Sequence, residues 1–320
     1  MLRKRPLGKT GIDVSEISFG GVEIGIPYGI GVESEEDMPG EREAVELLRA
    51  AAERDINFFD TAHFYGRSET IMGKAFKPIR DQVVICTKNK GLCGDHDPIP
   101  ATNQIRNHLD ESIQKSLSAL QSEYVDGFML HNRSGDLEML THPDIIERFM
   151  AYKKEGLTRF IGASVYSLDE TRAAIKSGVW DVIQISYNLM DQRLGALFPL
   201  AQKNGVGLII RSVLFRGILT DRGRNLHPKL ESIKQHRESY SDLLLEDAPT
   251  LTDLATKFVL AHEEISTVLI GMERTEYLDK SLAMADGNYL NQETLAKART
   301  MAYPDPEFID LPKWDRAGWV

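Results

Sequence analysis

Short apolar runs alternate along the chain with segments of helical periodicity. Most of the runs are almost continuous in apolar residues, which is typical of parallel strands buried on both faces. The runs lie at residues 17–21, 57–62, 83–88, 124–131, 160–164, 182–188, 207–212 and 266–271. The pattern therefore predicts eight strands, each followed by a helical segment.

The segments between the runs carry apolar residues three and four positions apart, as on one face of a helix. Ser167 and Glu170 form a capping-box pattern at the start of one such helix, and Gly178 stands where it should end. Strands that alternate with helices indicate right-handed βαβ units. Eight units, without a Rossmann glycine fingerprint, favour the α/β class and a closed (β/α)₈ TIM barrel over an open doubly wound sheet.

Three additions to the repeat are predicted. Residues 2–16 form an N-terminal hairpin that could close the barrel floor, residues 213–250 form a long charge-rich loop after strand 7, and residues 285–320 form a C-terminal extension. No shift of composition or Ser/Pro-rich linker divides the chain. A single domain over residues 1–320 is the prediction.

Composition narrows the class of partner. Lys and Arg number 38 against 48 Asp and Glu, a net charge of −10, which argues against nucleic acid or an anionic membrane as the main partner. No apolar run approaches the roughly 20 residues of a membrane span. The two cysteines, Cys86 and Cys93, lack metal or redox spacing and fit a cytoplasmic protein. Asp95, His96 and Asp97 are interpreted as a solvated loop rather than a metal site.

Polar side chains stand at the ends of three successive predicted strands. Asp60 ends the second, Lys88 the third and His131 the fourth, and Tyr65 follows Asp60 closely. Each alone would be read as a turn cap, a surface lysine, a hydrogen-bonded histidine or a packed tyrosine. Together they indicate a site, because the C-terminal strand ends of a barrel carry its chemistry.

The chemistry that suits these residues is proton exchange with a carbonyl or alcohol oxygen. A tyrosine hydroxyl has a reference pKa of about 10, and an ammonium held by a carboxylate favours its ionised form. No side chain donates a hydride, so a nicotinamide cofactor is implied.

The motif DTAHFYG at 60–66, with Lys88, His131 and the segment 7–21, resembles the aldo-keto reductase superfamily of (β/α)₈ oxidoreductases, over about residues 5–282. The resemblance implies that Tyr65 is the general acid/base, that Lys88 lowers the pKa of Tyr65, that Asp60 pairs with Lys88, and that His131 positions the carbonyl group.

The same resemblance implies an extended NAD(P)(H) across the barrel mouth. It assigns Ser164 and Gln184 to the carboxamide, the loop 212–217 to the pyrophosphate, and Gly271 and Arg274 to the adenosine phosphate. The full set of implied cofactor residues is Gly21, Ser164, Gln184, Arg211, Ser212, Leu214, Gly217, Gly271 and Arg274. NADP(H) is expected rather than NAD(H), because it is the usual choice of the family and Arg274 could pair with a 2′-phosphate.

Several positions depart from the family pattern. Val165 replaces a common Asn and removes one carboxamide hydrogen bond. Arg211 stands where many members have an aromatic ring, so it could stack on nicotinamide but should disfavour its cationic oxidised form. Tyr277, Lys280 and Ser281 replace residues around the adenine.

The leading function is a reversible hydride transfer between NAD(P)(H) and an aldehyde, ketone or aldose. The alternative is a cofactor-sensing regulatory subunit with slow turnover, and an aldolase with Lys88 as Schiff base is disfavoured by the placement of Tyr65. Tyr28, Phe64, Asn132 and Trp314 or Trp319 are the candidates that face substrate. The oligomeric state is not predicted.

Overall fold

Eight parallel strands close into a barrel in this computed structural model, which describes residues 2–93, 97–132 and 136–320. Each strand pairs with the next along the chain, and the last closes against the first. The strands are β3 Ile17–Gly20, β4 Phe58–Asp60, β5 Val84–Lys88, β6 Val125–His131, β7 Thr158–Ser164, β8 Val182–Ser186, β9 Gly207–Arg211 and β10 Thr267–Gly271. The predicted (β/α)₈ barrel is confirmed.

Alternate strand residues separate two apolar layers. Phe58 points into the barrel and Phe59 towards the helices, and the register Phe58↔Val84 places Val84 in the same inner layer. Because both faces are covered, the strand residues are apolar almost without interruption. This packing leaves the strand ends as the places where polar side chains gather.

Helices surround the barrel. They are α1 Glu41–Glu53, α2 Ser68–Phe76, α3 Thr102–Leu120, α4 Leu137–Thr141, α5 Pro143–Glu155, α6 Leu168–Ser177, α7 Phe198–Lys203, α8 Glu231–Glu238, α9 Leu251–Leu260, α10 Thr275–Met284, α11 Gln292–Arg299 and α12 Leu311–Arg316. The capping box of α6 is confirmed, since the Glu170 N–H donates to Ser167 Oγ at 3.2 Å and the Ser167 N–H donates to Glu170 Oε2 at 2.7 Å. Gly178 follows α6 with a φ of +71°.

The N-terminal hairpin covers the barrel end at which the strands begin. Its strands, β1 Lys4–Pro6 and β2 Asp13–Ser15, are antiparallel. Leu7 and Val14 are fully buried in the inner apolar layer. Arg5 is buried as well and pairs with Glu16 at 3.1 Å. The hairpin therefore forms the floor, and the opposite end, where the strands finish, is the mouth.

The loop after β9 and the C-terminal extension pack together at the mouth. Trp314 of α12 is buried, with 1% of its surface exposed, and its ring contacts Phe215 and Phe308. The prediction that Trp314 faces substrate is wrong, because the tail turns this ring inward against the loop. None of the described helices is both long and apolar enough to cross a membrane.

Candidate active site

A buried ion pair lies at the base of the mouth. Lys88, fully buried at the end of β5, donates from Nζ to both carboxylate oxygens of Asp60 and to the Thr61 carbonyl oxygen, each at 2.8 Å. Burial alone would lower the pKa of Lys88, but Asp60, with smaller contributions from Tyr65 and Cys86, raises it, and the net pKa lies above the ordinary value. Lys88 is therefore a fixed cation whose three N–H donors are all used.

Tyr65 lies in the turn after β4, with its ring centroid 5.0 Å from Lys88 Nζ. Burial raises the pKa of the Tyr65 hydroxyl to about 12, while the Lys88 ammonium lowers it in part. Lys88 thus lowers the pKa of Tyr65, as expected, but burial, with smaller contributions from Asp60 and Tyr28, raises that pKa by more. Tyr65 accordingly carries its proton at neutral pH.

His131 ends β6 and faces the same cavity as Tyr65. Burial, with the cations Lys88 and Arg211, lowers the pKa of its imidazole to about 3, so the ring is neutral. Its main-chain N–H donates to Asn89 Oδ1 at 2.8 Å. Its Nδ1 is buried and has no hydrogen-bond partner among the described residues. A neutral ring that lines the cavity can interact with a ligand oxygen without adding charge.

A cavity of about 1330 Å³ opens above these residues. Asp60, Tyr65 and His131 line its base, whereas Lys88 lies behind them. The implied cofactor residues that line it are Gly21, Ser164, Gln184, Arg211, Ser212, Leu214, Gly217 and Gly271. Arg274 does not line it; this exposed residue is the N-cap of α10. The contact of Arg274 with a cofactor therefore stays a prediction, made for a side chain that is exposed to solvent at the start of the helix.

Arg211 lies at the mouth end of β9. Its guanidinium stacks 4.7 Å from the ring centroid of Tyr166 and donates to the Val165 carbonyl oxygen at 3.2 Å and to Ser212 Oγ at 3.4 Å. These acceptors are neutral, and among the described residues no carboxylate pairs with Arg211. The Val165 side chain is fully buried in the core, so it offers the cavity no polar group.

Gln184 bridges the buried ion pair and the cavity. Its Nε2 donates to Asp60 Oδ1 at 2.8 Å. One amide hydrogen is thus committed to Asp60, and the Oε1 acceptor with the second N–H remains for a ligand.

Two acidic residues that the sequence patterns did not single out lie further along the cavity. Glu273 is buried, and its Oε1 accepts from Arg222 Nη2 at 3.1 Å. Glu23 Oε2 is buried without a hydrogen-bond partner in the described part of the chain. Burial, with a contribution from Glu273, raises the pKa of Glu23 to about 8. The sequence feature that could have identified them is a Glu two residues after each of Gly21 and Gly271, the glycines near the mouth ends of β3 and β10.

The residues expected to face substrate divide into one that lines the cavity and others that do not. Tyr28 lines it. Asn132 is buried and donates to Glu170 Oε1 at 2.9 Å, so it supports the start of α6 instead. Phe64 is 52% exposed and Trp319 stacks on His227, and neither is a lining residue. Contact of Asn132, Phe64 and Trp319 with substrate therefore stays a prediction that the lining of this cavity does not support.

The residues present fit a nicotinamide dinucleotide. The cavity exceeds the about 300–1,000 Å³ of common small-molecule sites. Its lining includes the guanidinium of Arg211, which no carboxylate of the described residues pairs with, and the neutral imidazole of His131 together with the proton donor Tyr65. No group of three metal-binding side chains occurs in the described ranges, and Asp95 and His96 lie outside them.

Comparisons with known proteins agree with this geometry. The model of the aldo/keto reductase family matches residues 16–301. L-galactose dehydrogenase of Arabidopsis thaliana is 31% identical over 317 residues, 94% of each chain. A putative voltage-gated potassium channel subunit beta of Schizosaccharomyces pombe is 28% identical, over 86% of this chain and 85% of that one.

One of the similar solved structures is described as a holo form. The holo form of an aldo-keto reductase from Bacillus halodurans superposes with a TM-score of 0.76 at 26% identity, covering 94% of this chain and 97% of that one. The protein described here belongs to the aldo/keto reductase family.

Proposed function

We propose that the protein is an oxidoreductase that transfers a hydride between a nicotinamide cofactor and a carbonyl or alcohol substrate. The observation that carries the proposal is the arrangement at the cavity base. A protonated Tyr65 lies over the Lys88–Asp60 ion pair, and a neutral His131 lines the same cavity. Membership of the family supports this class of reaction.

Each residue has a distinct part in the proposed reaction. A bound nicotinamide supplies the hydride that no side chain can supply. The hydroxyl of Tyr65 gives its proton to the carbonyl oxygen as that oxygen gains negative charge, and takes the proton back in the oxidative direction. Lys88 stabilises the resulting phenolate electrostatically, because none of its N–H donors is free to bond it. His131 orients the substrate oxygen.

The cofactor contacts are part of the proposal. Ser164 and Gln184 would hold the carboxamide, and the loop 212–217 would cover the pyrophosphate. In that loop Phe215, Arg216 and Gly217 all have φ between +49° and +97°, a run of left-handed residues that turns the chain back over the cavity.

An aldose is the substrate class we favour. The polar residues Ser167, Asp169, Asp191 and Arg193 line one side of the cavity, and such side chains hydrogen-bond sugar hydroxyls. The named activity of the Arabidopsis relative, on L-galactose, is consistent with that class.

Replacing Tyr65 tests the proposal. Tyr65→Phe removes the exchangeable proton and should lower kcat by about 10²–10⁴-fold. Cofactor affinity, followed by fluorescence titration, should stay near that of the native protein. Tyr166→Phe is the matched control at the same mouth and should keep most of the turnover. Turnover retained by Tyr65→Phe would overturn the assigned role.

A second function, a cofactor-sensing subunit, is favoured by the similarity to the potassium channel subunit of S. pombe. It is separated from the first by a panel of aldoses, aldehydes and ketones. A sensing subunit should bind the cofactor tightly and turn over every panel member slowly. An enzyme should turn over at least one of them many times per minute.

A further inference from the structure

One arm of the cavity ends between the loop at 220–222 and α10. Tyr277 and Met284 give it an aromatic and an apolar wall, which suits a flat purine base. The opposite arm carries Ser167, Asp169 and Arg193 and suits a polar substrate. If nicotinamide lies beside Tyr65, the second nucleoside of an extended dinucleotide therefore belongs in the Tyr277 arm.

Carboxylates face this arm from two strand ends. Glu273 follows β10, lines the cavity and is only 7% exposed. Glu23 follows β3 and packs against Gly271 so closely that a Cβ added to Gly271 would lie 2.4 Å from Glu23 Oε1. The other oxygen, Glu23 Oε2, is buried and has no partner among the described residues. An acceptor without a donor thus adjoins the arm.

The basic side chains that line this arm are already paired. Arg222 pairs with Glu273 at 3.1 Å and also donates to the Tyr277 hydroxyl at 3.3 Å. Lys280 pairs with Glu276 at 2.6 Å. Arg274, the cation that the sequence suggested for a phosphate, does not line the cavity. Within the described residues, the arm offers no unpaired cation to a phosphate.

We propose that this arm selects a ribose with a free 2′-hydroxyl, so that the protein prefers NAD(H) over NADP(H), with Glu273 as the residue that determines the choice and Glu23 contributing at alkaline pH. The inference rests on the proposed function. A 2′-hydroxyl can donate a hydrogen bond to a carboxylate, whereas a 2′-phosphate places about two negative charges next to that carboxylate. Like charges brought together in a partly desolvated site are unfavourable, and this discriminates against the phosphate.

Binding measurements test the inference without relying on turnover. Dissociation constants for NADH and NADPH would be measured by cofactor fluorescence for the native protein and the variants Glu273→Gln and Arg274→Ala. Competition by 5′-AMP and 2′,5′-ADP would isolate the nucleoside end. We expect NADH to bind at least about tenfold more tightly in the native protein, and Glu273→Gln to reduce that ratio by about tenfold.

The control separates the two candidate residues. Arg274→Ala should leave the ratio of NADH to NADPH affinity unchanged. NADPH binding as tightly as NADH, or weakened selectively by Arg274→Ala, would overturn the inference and leave the proposed function standing. Binding of neither dinucleotide would overturn both.

A second variant covers the case in which Glu273→Gln does not fold because Arg222 loses its partner. Glu23→Gln keeps that pair, and at pH 9, where Glu23 is ionised, it should also bring the affinity for NADPH closer to that for NADH. An unchanged ratio in Glu23→Gln at that pH would count against the assignment.

Discussion

Lys88 is a buried charge that is stable because every N–H donor has an acceptor. Two of those acceptors belong to Asp60. Removing one partner of a buried pair leaves an uncompensated charge, which costs more than the pair itself contributes. The same contacts that fix the site electrostatically therefore also stabilise the barrel end.

Asp60→Asn should lower the free energy of unfolding by about 3–5 kcal/mol. It replaces the anion with a neutral amide whose N–H groups face the ammonium. Urea denaturation at pH 7 measures the loss. Glu46→Gln is the comparison, since Glu46 pairs with Arg42 on the surface at 2.8 Å and exposed pairs contribute only about 0.2–1 kcal/mol. Equal losses in the two variants would contradict the larger stabilising contribution assigned to the buried Lys88–Asp60 pair.

Glu23→Gln should stabilise the protein increasingly as pH rises. The pKa of Glu23 is raised from 4.5 to about 8 by burial first and by Glu273 second. Between these values the folded protein holds a proton that the unfolded chain has lost, so native stability falls as pH rises from 4.5 through 8. The neutral amide avoids that fall.

Denaturation midpoints at pH 4, 6.5 and 9 measure this difference. The gain of Glu23→Gln over the native protein should be smallest at pH 4 and largest at pH 9. The exposed Glu53, near the end of α1, provides the control Glu53→Gln, whose effect should vary little over the range. A gain that is constant with pH would contradict the shifted pKa of Glu23.

Among the elements, strands proved easier to predict from sequence than the segments that follow them. Asp60, Lys88 and His131 were found because a buried strand has fixed alternation and a definite end, so its last polar residue must lie at the mouth. Glu273 and Arg274 follow β10 in irregular backbone, where adjacent side chains diverge, one buried and one exposed. No periodicity determines which of such neighbours turns inward.

The position of the C-terminal tail depends on tertiary contacts. Trp314 was a candidate for facing substrate because it is an aromatic residue of the C-terminal extension, yet it is buried against Phe215 of the loop after β9. The loop after β9 and the C-terminal tail are about a hundred residues apart in the chain, and Trp314 is buried only when the two pack together. The local pattern of apolar residues does not predict that packing.

Arg216 connects three elements over the mouth. Its Nη2 donates to Asp315 Oδ1 of α12 at 2.6 Å, its guanidinium lies 4.8 Å from the Tyr28 ring centroid, and its carbonyl oxygen accepts from the Ile30 N–H at 3.2 Å. The loop after β9 is thereby held to the loop after β3 and to the tail. We infer that a ligand leaving the cavity passes this connection.

Asp315→Asn should speed cofactor release. Asp315 is 52% exposed on its side chain, so its pair with Arg216 contributes about 0.2–1 kcal/mol, equivalent to a dissociation rate up to about fivefold higher without it. Stopped-flow displacement of bound cofactor measures the rate. Glu307→Gln, which alters a carboxylate 4.0 Å from Arg193 on the cavity rim, should leave the rate unchanged. Equal rates in Asp315→Asn and the native protein would show that the connection does not limit release.

On the scale of the whole molecule, the packing of the hairpin and the candidate site lie at opposite ends of the barrel. The hairpin fills the floor with Leu7 and Val14, whereas Tyr65 and His131 lie at the mouth. Substitutions in the floor should thus change the free energy of unfolding without changing the affinity of the folded protein for its cofactor.

Two glycines of the hairpin turn test this separation. Gly8 and Gly11 both have positive φ, +54° and +75°. Alanine at either position would have to adopt a left-handed backbone conformation, which destabilises the folded protein by about 1–2 kcal/mol. A Cβ on Gly8 would also lie 2.3 Å from the Gly207 nitrogen of β9, whereas nothing lies within 4 Å of one on Gly11. The difference between the two variants therefore isolates the contact between the hairpin and the barrel.

Gly11→Ala should lose only the conformational penalty, and Gly8→Ala should lose about 2 kcal/mol or more beyond it, because the hairpin must move off β9. Chemical denaturation measures both losses. Cofactor titration of each folded variant should give the native dissociation constant, since the mouth is at the opposite end of the strands. Equal losses in the two variants would mean that the hairpin can move away from β9 at Gly8 without a cost in stability. A weakened cofactor affinity in Gly8→Ala would mean that the floor and the mouth are mechanically coupled through β9, whose last residue is Arg211.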